Sequence, residues 1–331
     1  MTQGTASLST ACFERILVTG GSGFVGRYML EALARAYPSA HRVSLARTGE
    51  TNPSPGWNPV TFDLLNPTEV EAAIRETRPD LVIHLAAQAS AARSFVAAEE
   101  TWRVNFVGSF NLASALARQA TESVVVFAST ADVYGASLSE GDAHEDMIPR
   151  PLNAYARSKA AAETMLADVL PQSARLVVVR PFSHIGAGQD KRFALASFAA
   201  QIVEIENGRA EPRLSVGDLS VQRDFLDVRD VVDAYIRLIA VSPDLPARNV
   251  FDVASGQTRS LASVVERMRA LARRDFEIVV DPSRLRPADI QIARCAAAKL
   301  RETTGWSPRR TIDETLVDLL DYWRAAAERA R

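Results

Sequence analysis

Residues 17–33 read LVTGGSGFVGRYMLEAL: an apolar run, a glycine-rich turn, and an immediate opening into a helical pattern. The glycines satisfy two overlapping spacings, Gly20, Gly23 and Gly26 three apart, and Gly21-x-Gly23-x-x-Gly26. Both bring backbone close to a pyrophosphate at the positive N-terminus of a helix, where a Cβ would obstruct the approach. The strand, turn and helix context near the chain start makes this a dinucleotide-binding fingerprint, with Gly20, Gly23, Phe24, Val25 and Gly26 as its contacts.

Outward from that stretch, β-branched runs recur at 15–19, 42–46, 60–63, 81–86, 124–128 and 175–180, alternating with amphipathic segments such as VGRYMLEALARAY and NAYARSKAAAETMLADVL. Strands apolar on both faces, alternating with helices, predict a Rossmann-type α/β fold: a doubly wound parallel sheet of six or seven strands covered on both sides. After about residue 181 the rhythm breaks. The expected division is a dinucleotide-binding domain of residues 12–181 plus 221–255, and a smaller C-terminal α/β substrate lobe of 182–220 plus 256–331.

With 38 Lys+Arg against 40 Asp+Glu, the net charge of −2 and the lack of long single-sign blocks argue against nucleic-acid or membrane binding. The apolar runs are strand-sized, short of the ~20 residues of a membrane-spanning helix. The first 15 residues do not resemble a secretory signal. Cys12 and Cys295 suggest neither a disulfide framework nor a metal cluster. These features fit a cytoplasmic enzyme for a small molecule.

At the cofactor end, SLARTGE places Arg47 where a ribose-binding carboxylate closes the second strand of NAD-dependent folds. A guanidinium there pairs with a 2′-phosphate, so NADP(H) is the preferred cofactor, with NAD(H) the lesser possibility. Asp63 and Leu64, in FDLLN, should lie near the adenine, and Leu85, Ala86 and Ala87, in HLAAQAS, beside the phosphates. His84, between apolar neighbours, is expected to pack rather than react.

NAYARSKAAAE sets Tyr155 and Lys159 four apart on one helical face. Together with the glycine loop, HLAAQAS, WRVNFVGSFNL, ASTADVYG and the strand exit RPFSHIGAGQ, this order and spacing resembles the extended short-chain dehydrogenase/reductases, the nucleotide-sugar epimerases, dehydratases and reductases. The resemblance runs from residue 15 to about 325. It implies that Tyr155 exchanges a proton with the sugar oxygen, that Lys159 binds the nicotinamide ribose and lowers the tyrosine's pKa, and that Thr130 hydrogen-bonds the same oxygen. It further implies cofactor contacts from Asn105, Ala128, Phe182 and His184, and substrate contacts from Ser90, Asp132 and Ser183. Asn105 is expected mainly to order backbone and water.

Within that family, dehydratases follow the threonine with further proton carriers. Here Ala131 carries none, and Asp132 is a methylene shorter than Glu. The segment 180–235, DPSRLRPADI and the closing LRETTGWSPRRTIDETLVDLLDYW are similar to the branch acting on GDP-mannose derivatives, and most similar to the reductases of GDP-4-keto-6-deoxy-D-mannose that form GDP-D-rhamnose. That similarity implies that Arg223 and Arg286 clamp the diphosphate and that Asp289 lies by the nucleotide ribose or base. Ser183 stands where the family has Asn. The alternatives are the C4 epimer of the product, a 6-deoxy-talose derivative, or else a C4 epimerase or a 4,6-dehydratase; a non-enzymatic sensor is disfavoured by the intact Thr130, Tyr155 and Lys159. The family's four-helix bundle implies a homodimer through helices near 98–118 and 153–170.

Overall fold

The structure is a computed structural model that describes residues 11–46, 54–285 and 290–329. The first part of the chain runs β1 (Arg15–Thr19), α1 (Phe24–Ala36), β2 (His41–Ala46), β3 (Asn58–Thr61), α2 (Pro67–Thr77), β4 (Leu81–His84), and the short helices α3 (Ala91–Ser94) and α4 (Ala98–Trp102). A π-helical turn (Arg103–Val107) leads into α5 (Gly108–Gln119), β5 (Val124–Ala128), α6 (Ala154–Val169), β6 (Arg175–Pro181), β7 (Ser183–Ile185), α7 (Ala194–Glu206) and β8 (Arg213–Val216). The remainder is β9 (Gln222–Asp227), α8 (Val228–Val241), β10 (Arg248–Val253), β11 (Thr258–Ser260), α9 (Leu261–Leu271), β12 (Glu277–Val280), β13 (Ile292–Ala293), α10 (Ala298–Thr304) and α11 (Ile312–Arg329).

Seven strands form one parallel sheet in the order β10-β6-β5-β4-β1-β2-β3. The chain enters at β1, winds out to β3, then returns to β4 and winds the other way. This reversal opens a crevice at the carboxyl ends of β1 and β4, the switch point of a doubly wound sheet. Alternate residues of each central strand feed two separate cores. Ile16, Val18, Leu81, Ile83, Val124 and Val126 join one face, while Leu17, Val82, Val125 and Phe127 join the other. Helices cover both faces, which is why these strands are apolar throughout rather than alternating.

A third cluster lies among α7, α9, α11 and β8, built on Leu195, Phe198, Ile202, Leu214, Val264, Met268, Leu316 and Leu320. Beside it, β8 pairs with β12, and β9 pairs with β7, β11 and β13. The stretch 221–255 therefore divides: β9 lies in the small sheet, and β10 closes the large one. Within β9, QRDFLD buries Asp224, Leu226 and Asp227.

Two strand ends differ from the sequence expectation. The third strand ends at Thr61, so Asp63 lies in the following turn, where its Oδ1 accepts from the Leu65 N–H at 2.9 Å. The fourth ends at His84; the Leu85 N–H still reaches the Thr19 carbonyl at 3.1 Å before Ala86 and Ala87 leave the sheet.

Candidate active site

The glycine turn is built on two close approaches. Gly20 has φ +76°, and a Cβ on it would lie 2.7 Å from the Ala86 nitrogen; a Cβ on Gly26 would lie 2.2 Å from the Gly20 carbonyl oxygen. Loop and helix start are thus interlocked, and only glycine fits either position. Gly23 is the N-cap of α1, no side chain caps the helix, and its first turn carries no acidic residue. The N–H groups of Phe24, Val25 and Gly26 are left for an outside acceptor. The site fits a dinucleotide pyrophosphate, with Leu85, Ala86 and Ala87 forming the opposite wall after β4.

Aromatic packing ties this loop to the far side of the crevice. Phe24 stacks on His184 of β7 at 6.2 Å with the planes 4° apart, and His184 Nδ1 donates to the Phe182 carbonyl at 3.0 Å. Burial lowers the His184 pKa, opposed by that carbonyl bond. Leu64 packs near Gly108, and its carbonyl accepts from Asn111 at 2.9 Å. Arg47 lies outside the described residues.

The chemical end lies where β5 gives way to α6. Asn153 caps α6 by accepting the Ala156 N–H at 2.8 Å, and the helix carries Tyr155 and Lys159 one turn apart. Lys159 is buried; its Nζ donates to the Ala128 carbonyl at 2.7 Å and sits 4.6 Å from the centroid of the Phe127 ring. Burial brings its pKa down to about 7, opposed by the Glu163 carboxylate one turn further on. Thr130 accepts the Asp132 N–H at 3.2 Å and hydrogen-bonds Tyr155. Burial, followed by the charge of Asp132, raises the Tyr155 pKa, and the Thr130 bond opposes this. Burial thus favours the protonated phenol, and the lowering by Lys159 that the resemblance implies is not among the causes of the shift.

Asn105 lies in the π-helical turn, a feature common at functional sites. Its Oδ1 accepts the Gln88 N–H at 2.8 Å, while its Nδ2 donates to the Gln88 carbonyl at 3.2 Å and to Ser158 Oγ at 3.0 Å. The side chain therefore clamps the segment after β4 against α6. Ser90 is the N-cap of α3, accepting from the Arg93 N–H at 3.2 Å. Ser183 begins β7, just after the carboxyl end of β6, and Arg223 lies on β9, where its Nη1 donates to the Gln222 carbonyl at 2.9 Å. Arg286 and Asp289 lie outside the described residues.

His84 is wholly buried between Thr19 Oγ1 (2.7 Å from Nδ1) and Ser109 Oγ (2.9 Å from Nε2). Ser109 spends its own hydrogen on the Asn105 carbonyl at 2.6 Å, so it accepts from the imidazole, which is the neutral Nε2–H tautomer. Burial, then the charge of Lys159, pushes the His84 pKa down to about 3. The unfolded chain takes up this proton below about pH 6.5 and the native state does not, so stability falls with acidification. The expected loss is roughly 2 kcal/mol near pH 5. Thermal melts across pH should show that slope in the native protein and a flatter one in His84→Gln; equal slopes would remove His84 as its cause.

A buried network that the motifs did not reveal lies beneath Thr130. Ser129 Oγ donates to Glu163, Arg180 donates to Glu163 through Nε (3.1 Å) and Nη2 (2.6 Å), and Arg180 Nη1 reaches Tyr134 Oη at 3.0 Å. Tyr134 in turn donates to Asp252 at 2.8 Å. Burial pushes the Asp252 carboxyl up to about 7, with Glu145 adding to the rise. The one sequence signal for this network is Glu163, four residues beyond Lys159.

Comparison with known proteins places the whole chain. The chain is 37% identical to GDP-6-deoxy-D-mannose reductase of Pseudomonas aeruginosa, covering 94% of this chain and 98% of the relative. Its fold superimposes on the solved structure of RMD from Pseudomonas aeruginosa complexed with NADPH with a TM-score of 0.78, at 34% identity over 94% of this chain and 99% of that one. UDP-glucose 4-epimerase of Thermus thermophilus, solved with NAD, superimposes with a TM-score of 0.81 at 29% identity, over 94% and 99%. Residues 16–254 match the NAD dependent epimerase/dehydratase family, and the chain belongs to that family.

Proposed function

We propose that this protein reduces the C4 ketone of GDP-4-keto-6-deoxy-D-mannose with NADPH, giving GDP-D-rhamnose or its C4 epimer. The observation that carries the reading is the placement of Tyr155 and the buried Lys159 one turn apart on α6, with Lys159 bonded to the Ala128 carbonyl at the end of β5, two residues before Thr130. Full-length similarity to a GDP-6-deoxy-D-mannose reductase supports the substrate class. Ala131 is buried and holds no proton, which leaves Tyr155 as the donor and disfavours dehydration.

When bound, the nicotinamide supplies the hydride. Thr130 and Tyr155 orient the ketone oxygen, and Tyr155 gives that oxygen its phenolic proton as the C–H bond forms, so the ketone becomes an alcohol. Lys159 binds the nicotinamide ribose, and the phenolate left behind takes its next proton readily because burial raises its pKa. Asn105 keeps the Gln88 segment against α6, excluding a looser arrangement of the site. Gly20, Gly23 and Gly26, with Phe24, Val25, Asp63, Leu64, Leu85, Ala86, Ala87, Ala128, Phe182 and His184, form the cofactor wall. Ser90, Asp132, Ser183 and Arg223 face the sugar nucleotide, held by the lobe of residues 182–220 and 256–331, with Arg286 and Asp289 the further contacts that the resemblance implies. A 2′-phosphate on Arg47 accounts for the preference for NADPH over NADH. Initial rates with this substrate and each cofactor test the reading: faster oxidation of NADPH supports it, faster use of NADH overturns the Arg47 assignment, and oxidation of neither overturns the reductase.

The working unit is a homodimer. Trp102, Val107 and Phe110 are 37%, 41% and 43% exposed on the stretch from α4 to α5, an apolar stripe that a second copy of α5 and α6 covers in a four-helix bundle. Sedimentation of Phe110→Glu should give a monomer where the native protein gives a dimer; a native monomer would refute the assembly. No helix among the described residues is long and apolar enough to cross a membrane. Both cysteines are free, which accords with a cytoplasmic setting.

A further inference from the structure

Three buried charged groups stand in a row behind the catalytic tyrosine. Lys159 and Glu163 are one turn apart on α6, and Arg180 reaches across from β6. Lys159, Glu163 and Arg180 are 2%, 8% and 5% exposed. Burying charge in this way is costly unless each is matched. Arg180 grips Glu163 through Nε and Nη2, and Ser129 donates its hydroxyl to the same carboxylate. Ser129 directly precedes Thr130, so one carboxylate is tied to both the loop bearing the substrate-facing hydroxyl and the helix bearing the tyrosine and lysine. The groups around Lys159 are His84 from β4, Tyr155 and Glu163 from α6, and Asp132 beyond Tyr155; Arg180 lies behind Glu163. Of these, the Glu163 carboxylate is the negative charge that opposes the desolvation of the Lys159 ammonium.

We propose that Glu163 is a positioning residue for the reaction: anchored by Arg180 and Ser129, it keeps Lys159 charged and holds the Thr130 loop in register with Tyr155. The inference rests on the proposed role of Lys159, and it deepens that role by naming the group that maintains it. Without the carboxylate, Lys159 would have a buried guanidinium behind it and only the Ala128 carbonyl and the Phe127 ring to offset its desolvation, and it would give up its proton at lower pH.

The sequence contains three lysines, Lys159, Lys191 and Lys299. Lysine labelled with 13C at Cε therefore gives three signals, and the one missing in Lys159→Met belongs to Lys159. In the cofactor-free protein that signal should titrate near pH 7. In Glu163→Gln its midpoint should move acid-ward by at least about one unit, a tenfold change in the ammonium population, and Glu163→Asp should return it toward the native value. The descending limb of kcat against pH should move the same way, whereas a merely structural carboxylate would lower kcat at every pH without moving the limb. Glu163→Gln strands Arg180, so the neutral pair Glu163→Gln with Arg180→Met is measured beside it and should show the same direction of shift. A Lys159 midpoint unchanged in whichever of these variants folds overturns the proposal. A shifted midpoint with an unmoved kcat limb upholds the coupling and counts instead against the assignment of Lys159 to the reaction.

Discussion

Tyr155→Phe is expected to lower kcat for reduction of the keto sugar by about 10³-fold while leaving NADPH affinity within about twofold. The substitution removes one oxygen from a ring that α6 and the Thr130 loop already hold, so the fold and the glycine cradle are untouched. What disappears is the proton for the ketone oxygen. Thr130 cannot replace it, because an aliphatic hydroxyl is a far weaker acid than a phenol. Steady-state rates and NADPH fluorescence titration on the same sample separate the two quantities. Near-native kcat would mean that another group is the acid.

The second large effect is expected at the glycine turn. Gly26→Ala places a methyl 2.2 Å from the Gly20 carbonyl oxygen and 2.6 Å from that of Gly21. Both obstacles are backbone, so the loop itself must move. At the ~3 kcal/mol typical of overpacking, NADPH affinity should fall by about 100-fold. Gly21→Ala is the informative contrast: its methyl meets the Ser44 hydroxyl, a side chain that can turn away, and then Leu30 at 3.2 Å. Its effect should stay below about tenfold. Equal losses in the two variants, with circular dichroism showing both folded, would contradict the interlocked turn described above.

Much of this architecture was legible because a parallel sheet buried on both faces leaves an unmistakable trace. The central positions of RILVT, LVIH, VVVFA and RLVVVRP are consecutive apolar residues, and each run divides those side chains between two cores. The glycine fingerprint was legible for a related reason, since positions where a Cβ cannot fit admit one residue. Elements held by fewer constraints were harder to read. β9 reads as a strand leading into a helix, but nothing local says which sheet it joins; that is decided by long-range pairing with β7, β11 and β13. The π-helical turn at Arg103–Val107 is invisible in WRVNFV, and so is the clamp that its Asn105 makes on Gln88, 17 residues away in sequence.

The chemical site shows the same division. Tyr155 and Lys159 are legible by their spacing in the company of the other family motifs, and Thr130 by its place four residues before Tyr134 in the pattern that the resemblance supplies. The network below them does not, because Glu163, Arg180, Tyr134 and Asp252 come from four separate segments that only the folded sheet brings together. Tyr134, which shares its octapeptide with Thr130, is buried against Asp252 and Arg180 rather than open to a substrate. The raised pKa of Tyr155 could not have been read from its neighbours in sequence either, since burial is its largest cause.

The central claim is a net reduction at C4, and isotope transfer tests it most directly. The protein is incubated with GDP-4-keto-6-deoxy-D-mannose and NADPH deuterated at the transferable position of the nicotinamide, and the product sugar is examined by NMR. The account predicts one NADPH consumed for each sugar converted and a single deuterium on C4 of the 6-deoxyhexose. A sugar changed in configuration with no deuterium gained and no NADPH consumed would contradict it and identify an epimerase.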